Sequence, residues 1–124
     1  MTIMIIDDDE DDSLIFREAL QEIDPGIICL VAHTCDAATE MIQENQEPPA
    51  IIFLDAYMYP MGGKECLLTL NAIEKLIDTR IIIHSGALSP AQIDEFTFLG
   101  ADKVISKTNS HQALTRVLQD ILAA

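Results

Sequence analysis

Six consecutive acids, Asp7 to Asp12, follow the apolar run Ile3-Met4-Ile5-Ile6. A charge run of this kind is ordinarily a solvated face. Directly after a buried strand, however, its first members are held at a sheet edge, where like charges repel and a cation relieves them. Carboxylate oxygens suit Mg²⁺, which keeps several waters and takes one or two protein carboxylates plus phosphate oxygens. A further acid, Asp55, ends the apolar run Ile51-Ile52-Phe53-Leu54. Alone it reads as the cap of a turn. Beside an acidic cluster on a neighbouring strand it reads as a nucleophile, because a carboxylate with one oxygen on a metal and one free can attack an in-line phosphoryl group and form an acyl phosphate. Ser85 comes after Ile81-Ile82-Ile83-His84, and Lys107 after Val104-Ile105-Ser106. A hydroxyl and an ammonium at the same edge would bind the phosphoryl oxygens that Mg²⁺ leaves uncompensated.

The acidic run also fits part of a calcium loop. Asp7, Asp9, Asp11 and Glu18 fall at positions 1, 3, 5 and 12 of the EF-hand pattern, with Leu14 at position 8. Asp12 occupies the position that needs glycine, only six strand-like residues precede the loop, and no partner loop exists elsewhere. The calcium reading is therefore rejected. Asp11 and Asp12 are expected to cap the first helix and favour its N-terminal dipole.

The elements that would position these residues are visible as two alternating periods. Ile3–Ile6, 27–32, 51–54, 81–83 and 104–105 are short continuous apolar runs. Such runs fit strands of a parallel sheet covered on both faces. Between them lie helical faces: Phe16, Ala19, Leu20 and Ile23; Ala38, Met41 and Ile42; Leu67, Leu70, Ile73 and Ile77; and Leu114, Val117, Leu118, Ile121 and Leu122. A weaker helix over 90–98 has Ser89 as N-cap and Pro90 at its first position. Pro25-Gly26, Pro48-Pro49 and Gly100 supply the breaks. The fold class is α/β, a (βα)₅ doubly wound open sheet, whose ligands bind beyond the carboxyl ends of the strands. Asp7 to Asp9, Asp55, Ser85 and Lys107 all fall at those ends.

Length and composition agree. A chain of 124 residues, 49% hydrophobic and 23% charged, is one soluble domain that needs neither disulfide nor structural metal. The net charge of −14 argues against nucleic-acid binding. Residues 1–63 carry fourteen acids and one base (Arg17), whereas residues 64–124 carry seven and six. That asymmetry suggests a cation site in the first half and a protein-facing surface in the second. No membrane span and no signal peptide are read, so a cytoplasmic location is expected. Cys29, Cys35 and Cys66 are odd in number and lack metal spacing, which predicts reduced thiols, with Cys29 and Cys66 in the core and Cys35 exposed. His84 reads as a packed or hydrogen-bonded core histidine, and His33 and His111 have no partner at ligand spacing.

Taken in order, Asp7 and Asp8, Asp55, Ser85 and Lys107 resemble the receiver domain of two-component response regulators. The loop from Asp55 to Gly63 and the Gly100-Ala101-Asp102 segment are similar to the same family. The resemblance covers essentially the whole chain. It implies the flavodoxin-like strand order 2-1-3-4-5 and a receiver over residues 1–124, expected here without an output domain. It further implies that Asp55 is the phosphoacceptor, that Asp8, Asp55 and the Tyr57 backbone carbonyl bind Mg²⁺ directly with Asp7 acting mainly through a water, and that Lys107 and Ser85 engage the phosphoryl group. Inward movement of Ser85 would repack the fourth helix, fifth strand and fifth helix. The implied partners are a sensor histidine kinase or histidine phosphotransfer protein and a downstream protein target, with neither nucleic acid nor membrane.

This chain departs from the family pattern at three places. Tyr59 stands where proline is usual, with Pro60 one place later. Thr108 replaces the proline that commonly follows the lysine, and Val104 replaces a switch aromatic. Tyr57 occupies the position whose side chain tunes hydrolysis of the acyl phosphate. Two other readings use the same residues. A small Mg²⁺-dependent aspartyl-phosphate phosphatase would place a second Asp where Tyr57 stands. A receiver-shaped scaffold that is never phosphorylated would ordinarily lack one of the acids or the lysine.

Overall fold

The computed structural model describes residues 1–124. Along the chain it forms β1 (Thr2–Ile6), α1 (Glu10–Ile23), β2 (Ile28–Ala32), α2 (Cys35–Glu44), β3 (Ile51–Asp55), α3 (Gly63–Asn71), β4 (Arg80–Ser85), α4 (Pro90–Phe98), β5 (Lys103–Ser106) and α5 (His111–Ala123). The five apolar runs are five parallel strands in the order β2-β1-β3-β4-β5. Strand residues alternate between two apolar layers. Ile3, Ile5, Phe53, Ile82 and Ile105 pack with Phe16, Leu20, Leu114, Leu118 and Ile121 of α1 and α5. Met4, Ile6, Ile52, Leu54, Ile81 and Ile83 pack with residues of α2, α3 and α4. Each fully buried side chain of this size contributes about 1.5–3 kcal/mol relative to exposure. The continuous apolar sequences of β1 and β3 follow from this two-sided burial. The edge strand β2 is only half covered, and Ile28 is exposed.

Local chemistry starts the helices where the sheet ends. Ser89 and Gln92 form a reciprocal capping box at α4, with Pro90 at the first position. Thr34 and Ser110 accept from Ala37 and Ala113 at the starts of α2 and α5. For α1 the cap is Asp9, which accepts from the amides of Asp11 and Asp12. This corrects the expectation that Asp11 and Asp12 cap the helix: they lie in its first turn, where they favour the dipole but leave the capping to Asp9. Gly100 has φ +109°, a conformation suited to glycine, between α4 and β5.

Two further expectations are overturned. The apolar spacing predicted a helical face reaching Ile77, but α3 stops at Asn71 and a single 3₁₀ turn, Glu74–Leu76, follows. The chain turns here to bring the Arg80 amide to the Ala50 carbonyl at 3.1 Å, so Leu76 is buried and Ile77 is left exposed. The cysteines differ more. Cys35 and Cys66 form a disulfide with a Cα–Cα distance of 5.7 Å, and Cys35 is buried rather than exposed. Helices α2 and α3 cover the same face of the sheet, which brings these two residues, 31 apart in sequence, together. Cys29 is free and half-buried on β2.

At the opposite end of the sheet, Arg80 binds Asp102 at 2.9 Å and the Ile121 carbonyl at 3.0 Å, joining β4, the approach to β5 and the end of α5. Tyr59–Pro60 is cis, and Lys107–Thr108 is trans.

Candidate functional site

Register places the chemistry. Ile6 pairs with Leu54, so Asp7 and Asp55 leave adjacent strands side by side. Asp55 pairs with His84, and Ser85 with Ser106, which brings Ser85 and Lys107 to the same edge. Asp7 and Asp55 are buried and Asp8 is exposed, yet one carboxylate oxygen from each lies within 4.8 Å of the others. Three hard oxygen donors converging this closely fit a small divalent cation such as Mg²⁺.

Lys107 reaches into this cluster. Its Nζ lies 3.3 Å from Asp7 Oδ2, 3.4 Å from Asp55 Oδ2 and 2.9 Å from Asp12 Oδ2. Burial alone would lower the ammonium, but the bond to Asp12 and the charges of Asp55 and Asp7 outweigh it and hold it above its ordinary range. Asp55 is displaced in the opposite sense to a paired carboxylate. Burial pushes it up to about 6, with Asp7 adding to the rise, while the Tyr57 amide and Lys107 oppose it. The Tyr57 N–H donates to Asp55 Oδ1 at 3.1 Å. Asp7 Oδ1 accepts from the Asp9 amide at 3.0 Å, and the Asp7 carbonyl contacts His33 Nδ1 at 3.0 Å.

Ser85 Oγ is buried and has no hydrogen-bond partner. Both ring nitrogens of His84 are likewise buried and unpartnered, its ring is stacked on Phe16 at 5.0 Å, and Nε2 lies 3.9 Å from Asp7 Oδ2. Burial, with Lys107 adding, lowers His84 to about 3, so the ring is neutral. A cavity of about 640 Å³ adjoins Lys107 between α1 and the β5–α5 loop, walled by Phe16, Ile105 and Leu114.

The residues proposed from sequence thus meet at one edge. The sequence reading missed Asp12, the nearest partner of Lys107. Its signal is its place on the stripe of Phe16, Ala19 and Leu20, which turns it toward the sheet. The Tyr57 hydroxyl was also missed; it contacts Ala87 and Gln92.

Comparison with known proteins agrees with this architecture. The family model described as the response regulator receiver domain matches residues 3–119. The two-component response regulator ORR41 of Oryza sativa subsp. japonica is 25% identical over 116 residues, 94% of this chain and 90% of that protein. Among solved structures, the signal receiver domain of a DNA-binding response regulator protein (merR) from Colwellia psychrerythraea 34H superposes with TM-score 0.85 at 19% identity, over 100% of this chain and 99% of that one. The chemotaxis response regulator CheY4 of Vibrio cholerae gives 0.83 at 22% identity, over 97% of each chain. The chain belongs to the response regulator receiver family. Receiver domains are the signalling modules of two-component systems, and no helix here is long and apolar enough to cross a membrane.

Proposed function

We propose that this chain acts as a receiver that accepts a phosphoryl group on Asp55 from a histidine kinase or a histidine phosphotransfer protein. The observation that supports this most directly is the buried Asp55 carboxylate, which has an oxygen within 4.8 Å of oxygens of Asp7 and Asp8 and lies 3.4 Å from the Lys107 ammonium. An Asp55 oxygen attacks the phosphorus of a phosphohistidine. The P–O bond forms as the P–N bond breaks, and the imidazole keeps the electron pair and takes up a proton from solvent. Bound by Asp7, Asp8, Asp55 and the Tyr57 carbonyl, Mg²⁺ would neutralise charge gathering on the phosphoryl oxygens. Lys107 holds a second oxygen as a fixed cation. Ser85, whose hydroxyl lacks a partner, turns inward to donate to a third. The product is a signalling state read by contact with a downstream protein or passed on by phosphorelay. It is not a step in turnover of a metabolite, and the site is proposed to work in the cytoplasm without nucleic acid.

Intact-mass measurement after incubation with acetyl phosphate tests this. Wild type should gain one phosphoryl group only when Mg²⁺ is present, and Asp55→Asn should gain none. Absence of any adduct, together with no thermal stabilisation by Mg²⁺, would overturn the proposal and favour a scaffold that works without phosphate.

A further inference from the structure

Tyr57 is joined to the site by its main chain and to a helix by its side chain. Its N–H donates to Asp55 Oδ1 at 3.1 Å. Its hydroxyl donates to the Ala87 carbonyl at 3.4 Å and accepts from Gln92 Nε2 at 3.2 Å. A phenol has one proton to give, and here both its donor and its acceptor capacity are used. The orientation of the Gln92 amide is set independently, because its Oε1 accepts from the Ser89 amide at 2.9 Å within the α4 capping box. With its oxygen committed to the cap, Gln92 turns its NH₂ toward Tyr57.

The groups that Tyr57 touches lie on a lightly packed part of the fold. Ala87 stands two residues beyond Ser85, whose Oγ is buried without a partner, and Gly86 between them has open space around it. Of the residues in α4, only Phe96 is buried. A helix anchored through one side chain shifts or frays at low cost compared with its neighbours. A change at the Asp55 carboxylate alters the acceptor of the Tyr57 amide, and a change at Ser85 moves the Ala87 carbonyl. Both displacements converge on one hydroxyl, and that hydroxyl is bonded to the first turn of α4.

We propose that the Tyr57 side chain is the link that couples the state of Asp55 to α4, through the chain Asp55–Tyr57–Gln92 with Ala87 as its second foot. The proposal rests on the phosphoacceptor reading of Asp55 and adds the path by which that state leaves the site. Tyr57 and Gln92 are positioning residues, since neither side chain reaches the reacting atoms.

The test uses the ¹⁵N-labelled whole chain with Mg²⁺, with and without acetyl phosphate. The amide shifts of Ile93 to Phe98 are scaled to the phosphorylated fraction measured by intact mass on the same sample. In wild type the α4 amides should shift with phosphorylation. Tyr57→Phe, which removes only the hydroxyl, and Gln92→Leu should each reduce the scaled α4 shift at least threefold. Ser89→Ala weakens the α4 cap but spares the Tyr57–Gln92 bond, so it should keep the wild-type response. An α4 response in Tyr57→Phe equal to wild type would overturn the link, as would an equal loss in Ser89→Ala and Gln92→Leu, which would make the effect one of helix capping. An adduct on wild type with no α4 shift would also overturn it. No adduct on wild type, together with no thermal stabilisation by Mg²⁺, would instead remove the phosphoacceptor reading and the link with it.

Discussion

Asp55 is a carboxylate that the fold makes costly to ionise. Its position at the end of a strand buried on both faces removes water, and neither the Tyr57 amide nor Lys107 fully compensates. Its folded value, about 6, lies above the roughly 3.9 of an unfolded Asp. The native state therefore holds this proton to higher pH than the unfolded chain does. Stability from this group is greatest below about pH 4, falls between pH 4 and 6, and is lost above. Asp55→Asn, which removes the charge and keeps the shape, should stabilise the metal-free protein by about 3 kcal/mol at pH 7. The gain should shrink between pH 6 and 4 and vanish below, as read from urea unfolding at each pH. A pH-independent difference would contradict this origin. The residue types of the site were legible because each ends an apolar run. The role of Asp12 was less so: within a run of six acids, only its place on the buried stripe of α1 separates it from Asp11. The Tyr57 hydroxyl was not legible at all, since Gln92 lies 35 residues away and only the fold brings them together.

Elements were read well where burial is two-sided or the cap is explicit. β1 and β3 are apolar throughout, α5 has a clean stripe, and Ser89-Pro90 announces α4. The reading failed where a periodic pattern outlasts its helix, because Ile77 continues the spacing of Leu70 and Ile73 although the chain has already turned toward β4. It failed again for the thiols, because pairing depends on which helices share a face. The Cys35–Cys66 disulfide closes a loop across α2 and β3 and ties the first turn of α2 to α3. In the chain-entropy picture, closing a loop of this length contributes about 3–4 kcal/mol by restricting the unfolded chain. Dithiothreitol should therefore lower the urea midpoint of wild type by a corresponding amount and leave Cys66→Ala unchanged. The site is close enough for the packing to matter: a Cβ at Gly63, in the first turn of α3, would lie 2.5 Å from the Asp55 carbonyl oxygen.

Over the whole molecule, a charge of −14 works against compactness, and most of it lies in the half that carries Asp7, Asp8 and Asp55. Salt should stabilise the protein by screening, and Mg²⁺ should do more than screening allows. At equal ionic strength, millimolar MgCl₂ should raise Tm by several degrees over NaCl in wild type, and the excess should disappear in Asp8→Ala. Equal Tm values in the two salts would argue against a specific cation site. The receiver fold was readable as a whole because strands, helices and chemistry agree in order along the chain. The paths between its two ends were not. Arg80, bound to Asp102 and to the last turn of α5, fastens three elements at the floor of the sheet, far from the carboxyl edge. That clamp acts as a fulcrum. With the floor fastened, a disturbance at the upper edge is expected to travel sideways, from one strand end to the next, rather than down through the body. A mutation at the floor would then be felt as a change in how stiffly the domain holds its shape, while one at the rim would change what it says.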